Sequence, residues 1–238
     1  MKPKLWLLDM DDTLYSASAG MFHDIHVLMD AYIVEKLGLT TQQANELRKY
    51  YWRRYGVTYY GLWLHHGIDP HDFLTATHKV DTSSIHTQGQ MREAIMSLKG
   101  QRILFTNAPN SFADQVLERL NLSDCFVAQY RAEDMKVFGH WRPKPSAKML
   151  KNVLACHHVK PYDCCLVDDN LNNLKVAKTV GIQTVLCKGW HHHGLEVIRP
   201  IPYVDAFISH IRDIKRILVS TPPKKQKYRR PVFLNPYN

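Results

Sequence analysis

Three apolar runs in this chain break off abruptly into polar clusters, and no other feature narrows the possible folds so far. Leu5-Trp6-Leu7-Leu8 runs into Asp9, Asp11 and Asp12, and Arg102-Ile103-Leu104-Phe105 into Thr106-Asn107. Cys164-Cys165-Leu166-Val167 runs into Asp168-Asp169-Asn170. Segments of helical period follow, as in Ser111 to Leu120 and Leu171 to Val180, the latter closed by Gly181. Continuous rather than alternating apolar runs, interleaved with helices, indicate a parallel sheet covered on both faces. Thr184-Val185-Leu186 fits the same sheet as a further short strand.

Roughly ninety residues separate the first run from the second, too many for a loop. Met21, Phe22, Ile25, Leu28, Met29, Tyr32 and Ile33 recur at helical spacing, and Gly38 ends that helix. Thr40 and Gln43 form a capping box, flanked by the staple pair Leu39 and Ala44, for a helix running through Tyr51 towards Gly56. A third helix is expected around Tyr59 to His65 and a fourth from Asp69-Pro70, while Gln88 to Leu98, stopped by Gly100, leads back. The expected fold class is α/β: a Rossmann-like parallel sheet core, residues 1–15 plus 86–220, with an inserted helical cap, residues 16–85. Residues 221–238 form a basic C-terminal tail.

Composition excludes several classes. With 238 residues and 45% apolar content the chain can bury a core, yet no apolar run approaches the length needed to cross a bilayer. The N-terminus meets Asp9 before any signal-peptide apolar region could form. Five cysteines without C-x-x-C spacing suit reduced thiols, so a soluble cytoplasmic protein is expected. Of the net charge of +9, five charges come from Lys224, Lys225, Lys227, Arg229 and Arg230 in the tail. That tail could touch nucleic acid, but a solvated terminus is the commoner outcome. His191-His192-His193 cannot easily converge on one ion and reads as an exposed loop, as do His65-His66 and His157-His158.

All three polar clusters sit just past the carboxyl end of a strand, where open α/β sheets place their ligands. Arg142-Pro143-Lys144-Pro145-Ser146 joins them: two prolines hold one lysine in an extended segment ahead of the helix Ala147 to Ala155. Asp9-Met10-Asp11-Asp12-Thr13, Thr106-Asn107, Lys144-Pro145 and Asp168-Asp169 together resemble, in order and separation, the four motifs of the haloacid-dehalogenase-like hydrolase superfamily. The second aspartate of the first motif points away from the dehalogenase branch, which lacks its acid role.

Hydrolysis of a phosphate monoester requires an acceleration of up to ~10²¹-fold, roughly 28 kcal/mol at about 1.36 per decade. A covalent route combined with heavy charge compensation answers that demand. The resemblance implies that Asp9 attacks phosphorus and becomes an aspartyl-phosphate, while Asp11 protonates the leaving oxygen and then deprotonates water. It implies Mg²⁺ on the Asp9 carboxylate, the Asp11 backbone carbonyl and Asp169, with Asp168 close or water-bridged. Thr106 and the backbone amide of Asn107 would hold phosphate oxygens, and Lys144 would neutralise charge. Asp12 is expected as a turn residue. Asn172 and Asn173 occupy a stretch where many relatives carry a further carboxylate, which leaves the division of metal binding between Asp168 and Asp169 open.

Tyr50-Tyr51-Trp52-Arg53-Arg54-Tyr55-Gly56, continuing to Gly61-Leu62, resembles the cap of the pyrimidine 5′-nucleotidase branch. Aromatic rings and arginine suit a nucleotide. Most of these rings are expected to pack the cap, with Tyr15, Arg54 and Thr58 the candidates for touching substrate. The expected partner is a small phosphoester, a nucleoside 5′-monophosphate first. A sugar phosphate or phosphoglycolate is the alternative, and a nucleic-acid-binding role for the tail is the reading from another class. No membrane partner is expected.

Overall fold

A computed structural model describes residues 3–87, 89–189 and 201–219. The triple histidine 191–193, Gln88 and the basic tail 221–238 lie outside the described residues, so the expectations placed on them carry no structural account.

The strands are β1 (Leu5–Leu8), β2 (Gln101–Phe105), β3 (Ala128–Tyr130), β4 (Lys136–Val137), β5 (His140–Trp141), β6 (Cys164–Asp168), β7 (Gln183–Cys187) and β8 (Ala206–Ile208). The helices are α1 (Met21–Leu37), α2 (Thr41–Tyr55), α3 (Thr58–His66), α4 (Pro70–Thr77), α5 (Met91–Met96), α6 (Asn110–Arg119), α7 (Ala147–Cys156), α8 (Leu171–Val180) and α9 (Ile214–Val219). Six strands form one parallel sheet in the order β3-β2-β1-β6-β7-β8. This is the α/β, Rossmann-like class that the apolar runs predict.

β1 shows why those runs do not alternate. Leu5 and Leu7 point into one apolar cluster and Trp6 and Leu8 into another, and all four are wholly buried. A strand covered by helices on both faces has no position where a polar residue is cheap. The edge strands β3 and β8 are short and half-buried, which is why their sequences carry no such signal. β4 and β5 are joined by Phe138 and Gly139, both at positive φ (52° and 78°), the backbone of a tight hairpin turn.

The segment between β1 and β2 is helical. α2 begins with the Thr40–Gln43 capping box, and Gly38 and Gly56 close α1 and α2 in the left-handed conformation. A third apolar cluster, separate from the two around the sheet, holds Tyr32, Ile33, Tyr51, Leu62, Phe73 and Leu74. It is braced by a buried ion pair in which Arg48 Nε donates to Asp30 Oδ1 at 2.7 Å. Tyr59 meets Trp141 of β5 with ring centroids 5.8 Å apart, which ties the helical segment to the sheet side.

The helix expected over Gln88 to Leu98 is only Met91–Met96. Gln90 takes a left-handed turn just before it, and Gly100 serves the entry to β2 rather than the helix end. A side chain at Gly100 would meet the Lys4 carbonyl oxygen at 2.4 Å.

Gly61 lies inside α3, where a methyl group would fall 2.2 Å from Cγ of Tyr51. Gly61→Ala should therefore destabilise the protein by ~1–3 kcal/mol through overpacking, despite alanine's better helix propensity. Urea unfolding checks this; a gain in stability would overturn the packing assigned to Tyr51.

Candidate active site

The register of β1, β2 and β6 sets Leu8 level with Leu104 and Val167, so the chain leaves all three strands at one edge. Asp9, Thr106 and Asp168 stand just past that level. All three are buried, Thr106 and Asp168 completely. Lys144 reaches the same point from the loop before α7. Its ammonium group donates to Asp9 Oδ1 and, at 3.1 Å, to Asp168 Oδ2, and only 4% of Lys144 is exposed.

Lys144 is held by its backbone. Asn107 Nδ2 donates to the Lys144 carbonyl at 3.0 Å, and the Lys144 N–H donates to Asn107 Oδ1 at 2.9 Å. On the other side Gly56 presses against the Lys144–Pro145 peptide, which is cis. A side chain at Gly56 would come within 2.7 Å of the Lys144 oxygen and 2.5 Å of Pro145 Cδ.

Asp168 accepts from Asn173 Nδ2 at both oxygens (2.9 and 3.0 Å) and from the Asn170 N–H at 2.9 Å. Asn173 thus occupies the space of a further carboxylate and fixes Asp168 instead. The sequence pattern singled it out only as a departure.

Burial raises two carboxyls of the cluster, those of Asp9 and Asp169. Asp9 is pushed up to about 7 by burial and then by the Asp168 charge, against the opposing pull of Lys144. Asp169 is pushed up to about 10 by burial, Asp168 and Asp9. Lys144 is raised as well: burial would lower it, but the Asp168 and Asp9 carboxylates outweigh that. Ligand oxygens of Asp9, Asp168 and Asp169 all lie within 4.8 Å of one another. Three carboxyl groups and one ammonium group thus meet here among the described residues. An all-oxygen donor set of this kind fits a hard divalent cation.

Asp11 differs from Asp9. It is half-buried, its Oδ1 accepts from the Tyr15 hydroxyl at 2.5 Å, and burial raises it to about 6 against the Tyr15 hydrogen bond. It lines a cavity of about 520 Å³ beneath α1 and α2, whose walls include Phe22, His26, Lys49, Thr58 and Asn107. Phe22 and His26, one turn apart on α1, stack with ring centroids 6.0 Å apart and planes at 16°. No periodicity in the sequence marks these two as site residues.

The remaining candidates are placed as follows. Asp12 is a turn residue at φ 54°, its Oδ1 accepting from the Ser18 amide and hydroxyl. Thr58 lines the cavity and donates to the Arg48 carbonyl at 3.4 Å. Tyr15, expected against substrate, is 4% exposed and meets Asp11 instead. Arg54, also expected there, is exposed on the far side of α2, over the Tyr55 ring at 5.7 Å. Helical period explains this: Arg48, Lys49, Trp52 and Arg53 share the face towards the cavity, and Arg54 turns away from it.

A buried acid is thus paired with a lysine at a strand end, and a second acid beside it lines a cavity under the inserted helices. The family model described as haloacid dehalogenase-like hydrolase matches residues 3–181, and the chain belongs to that family. Phosphate metabolism protein 8 of Saccharomyces cerevisiae is 23% identical over 197 residues. That match covers 77% of this chain and 61% of the yeast protein, so the chain spans less than two thirds of this curated relative. Among solved structures, a HAD phosphatase from Thermococcus onnurineus superposes with a TM-score of 0.57 at 18% identity, covering 92% of this chain and 98% of its own. A 2-haloacid dehalogenase from Pseudomonas syringae pv. Tomato DC3000 gives 0.56 at 18% identity, with 91% and 98% covered. At these identities the likeness shows the fold. No helix among the described residues is long and apolar enough to cross a membrane.

Replacing Lys144 by methionine keeps the volume and removes the charge between Asp9 and Asp168. Loss of one partner from a buried ion network costs ~3–5 kcal/mol. Urea unfolding of Lys144→Met in metal-free buffer should show that loss. Unchanged stability would mean that the lysine does not balance these acids.

Proposed function

We propose that the chain is a Mg²⁺-dependent phosphomonoesterase that works through an aspartyl-phosphate on Asp9, with nucleoside 5′-monophosphates, pyrimidines preferred, as substrates. The observation that carries the reading is the unlike settings of two neighbouring acids. Asp9 is oriented by Lys144 at the strand end, whereas Asp11 lines the cavity with its carboxylate held by Tyr15. These settings support a role in attack for the first and in proton transfer for the second. The acid at position 11 favours a phosphatase over a dehalogenase, and the yeast relative's name, which refers to phosphate metabolism, agrees.

Asp9 Oδ attacks phosphorus while the bond to the leaving alkoxide breaks, and Asp11 gives that alkoxide its proton. Asp11 then takes a proton from water, which attacks phosphorus, and the Asp9–phosphate bond breaks to release phosphate. The Thr106 hydroxyl accepts from the Ala108 N–H at 3.0 Å, which leaves its own proton to meet a phosphoryl oxygen beside the Asn107 amide. Mg²⁺, held by the Asp9 carboxylate, the Asp11 carbonyl and Asp169 with Asp168 alongside, would compensate phosphoryl charge. The Phe22–His26 stack offers a platform for a base, and Lys49 and Thr58 lie on the same cavity wall. All five cysteines are free thiols, which supports a reducing, cytoplasmic compartment.

Phosphate release from nucleotides and sugar phosphates should require Mg²⁺ and stop with EDTA. Asp9→Asn should abolish it with the fold intact. Asp11→Asn should lose turnover most for a nucleotide and least for p-nitrophenyl phosphate, whose leaving group needs no proton. Equal losses for the two substrates would remove Asp11 from the acid role.

Phe22→Ala tests base recognition. It should lower kcat/KM for cytidine 5′-monophosphate by ~1–3 kcal/mol, the range of a lost base stack, and barely affect ribose 5-phosphate, which lacks only the base. A similar fall for both would assign Phe22 to packing of α1 rather than to the base.

A further inference from the structure

A second cavity, of about 660 Å³, opens between the carboxyl end of α2 and the amino ends of α7 and α8. It shares Trp52 and Arg53 with the first cavity, but Asp9, Asp11, Thr106, Lys144, Asp168 and Asp169 do not line it. Its charge is one-sided. Arg53, Arg54, Arg142 and Lys175 line it, and no aspartate or glutamate does. Among the described residues none of these four cations makes an ion pair, although Arg48, Arg92, Arg131 and Lys178 each find a carboxylate. Four like charges around one concavity repel unless an anion enters.

Two further observations narrow the anion. α7 and α8 are each ten residues long, and their N-cap residues Ser146 and Asn170 line the cavity, which adds two positive helix ends. The wall also carries rings that the fold does not bury: Trp52 is 55% exposed, and Tyr55 and Tyr60 are half-buried with centroids 5.4 Å apart. The volume lies within the ~300–1,000 Å³ usual for sites of drug-sized ligands. Several spread cations ask for several anionic groups, and rings beside them ask for a planar one.

We propose that this cavity binds a nucleoside polyphosphate, its phosphates meeting Arg53, Arg54, Arg142 and Lys175 and its base lying against the Tyr55–Tyr60 pair. The ligand is a second occupant rather than the molecule hydrolysed at Asp9, and the proposal stands whichever phosphoester Asp9 attacks.

Equilibrium binding of ATP to the full chain carrying Asp9→Asn, which blocks turnover, tests it. Added Lys175→Glu or Arg142→Glu should each weaken ATP by about tenfold or more, as expected for a lost charge-assisted contact turned repulsive. Lys215→Glu makes the same change of charge at an exposed position away from the cavity and should leave ATP binding unchanged, which also controls for anion binding by the basic tail. In the otherwise wild-type chain, Lys175→Glu should keep kcat/KM for p-nitrophenyl phosphate within about twofold, because Lys175 does not line the cavity that Asp11 borders and makes none of the bonds to Asp9, Lys144 or Asp168 described above. No ATP binding, or binding weakened equally by Lys215→Glu, would overturn the site. Tripolyphosphate bound as tightly as ATP would overturn the base contact. Binding of single-stranded RNA but not of ATP would overturn the ligand class.

Discussion

A single ammonium group, that of Lys144, sits between two buried carboxylates, and the rest of the molecule is arranged so that it can. Taking an ammonium out of water costs several kcal/mol in a real protein, and each carboxylate adds its own penalty. Mutual attraction in a low-dielectric setting offsets this only when geometry is fixed beforehand. Here it is fixed three times over: by the Asn107 side chain on the Lys144 backbone, by Asn173 on Asp168, and by Gly56 against the Lys144–Pro145 peptide. The site therefore stores an imbalance of charge without letting it collapse.

The sheet makes such burial possible. Strands that are apolar on both faces form a floor from which water is excluded, and parallel register brings their ends to a common level. Residues just beyond that level face each other across neighbouring strands with apolar side chains behind them. The same floor raises Asp9 and Asp169, because the environment that holds the acids in place also disfavours their charged forms. The proposed nucleophile and the proposed cation site would share one physical cause, desolvation of clustered carboxyls.

Much of this was legible in the sequence, and what was not has a physical reason. The central strands announce themselves as apolar runs because both faces are covered; β3 and β8 do not, because edge strands keep half their surface in water. Caps at Gly38, Thr40 and Gly56 were readable, since their chemistry is local. Asp9, Asp11, Lys144 and Asp168 stood out because strand-end acids and a proline-flanked lysine are unusual. The turn of Tyr15 towards Asp11 and of Arg54 over the Tyr55 ring was not legible, because residue type says nothing about which way a side chain faces. Phe22 and His26 were invisible as a pair because an aromatic stripe on a helix ordinarily means packing. Asn173 acts through a distance of five residues that only the turn of α8 makes short.

The carboxyl end of α2 shows how one helix can serve two cavities of opposite purpose. At 3.6 residues per turn, Arg48, Lys49, Trp52 and Arg53 fall on one face, and they border the cavity that reaches Asp11. The next residues, Arg54, Tyr55 and Gly56, continue round the axis and border the other. Trp52 and Arg53, at the turning point, belong to both. Gly56 then ends the helix at φ 82°, where its missing side chain lets the end of α2 settle on the peptide that carries Lys144. The placement of α2 and the placement of the ammonium group are thus one constraint.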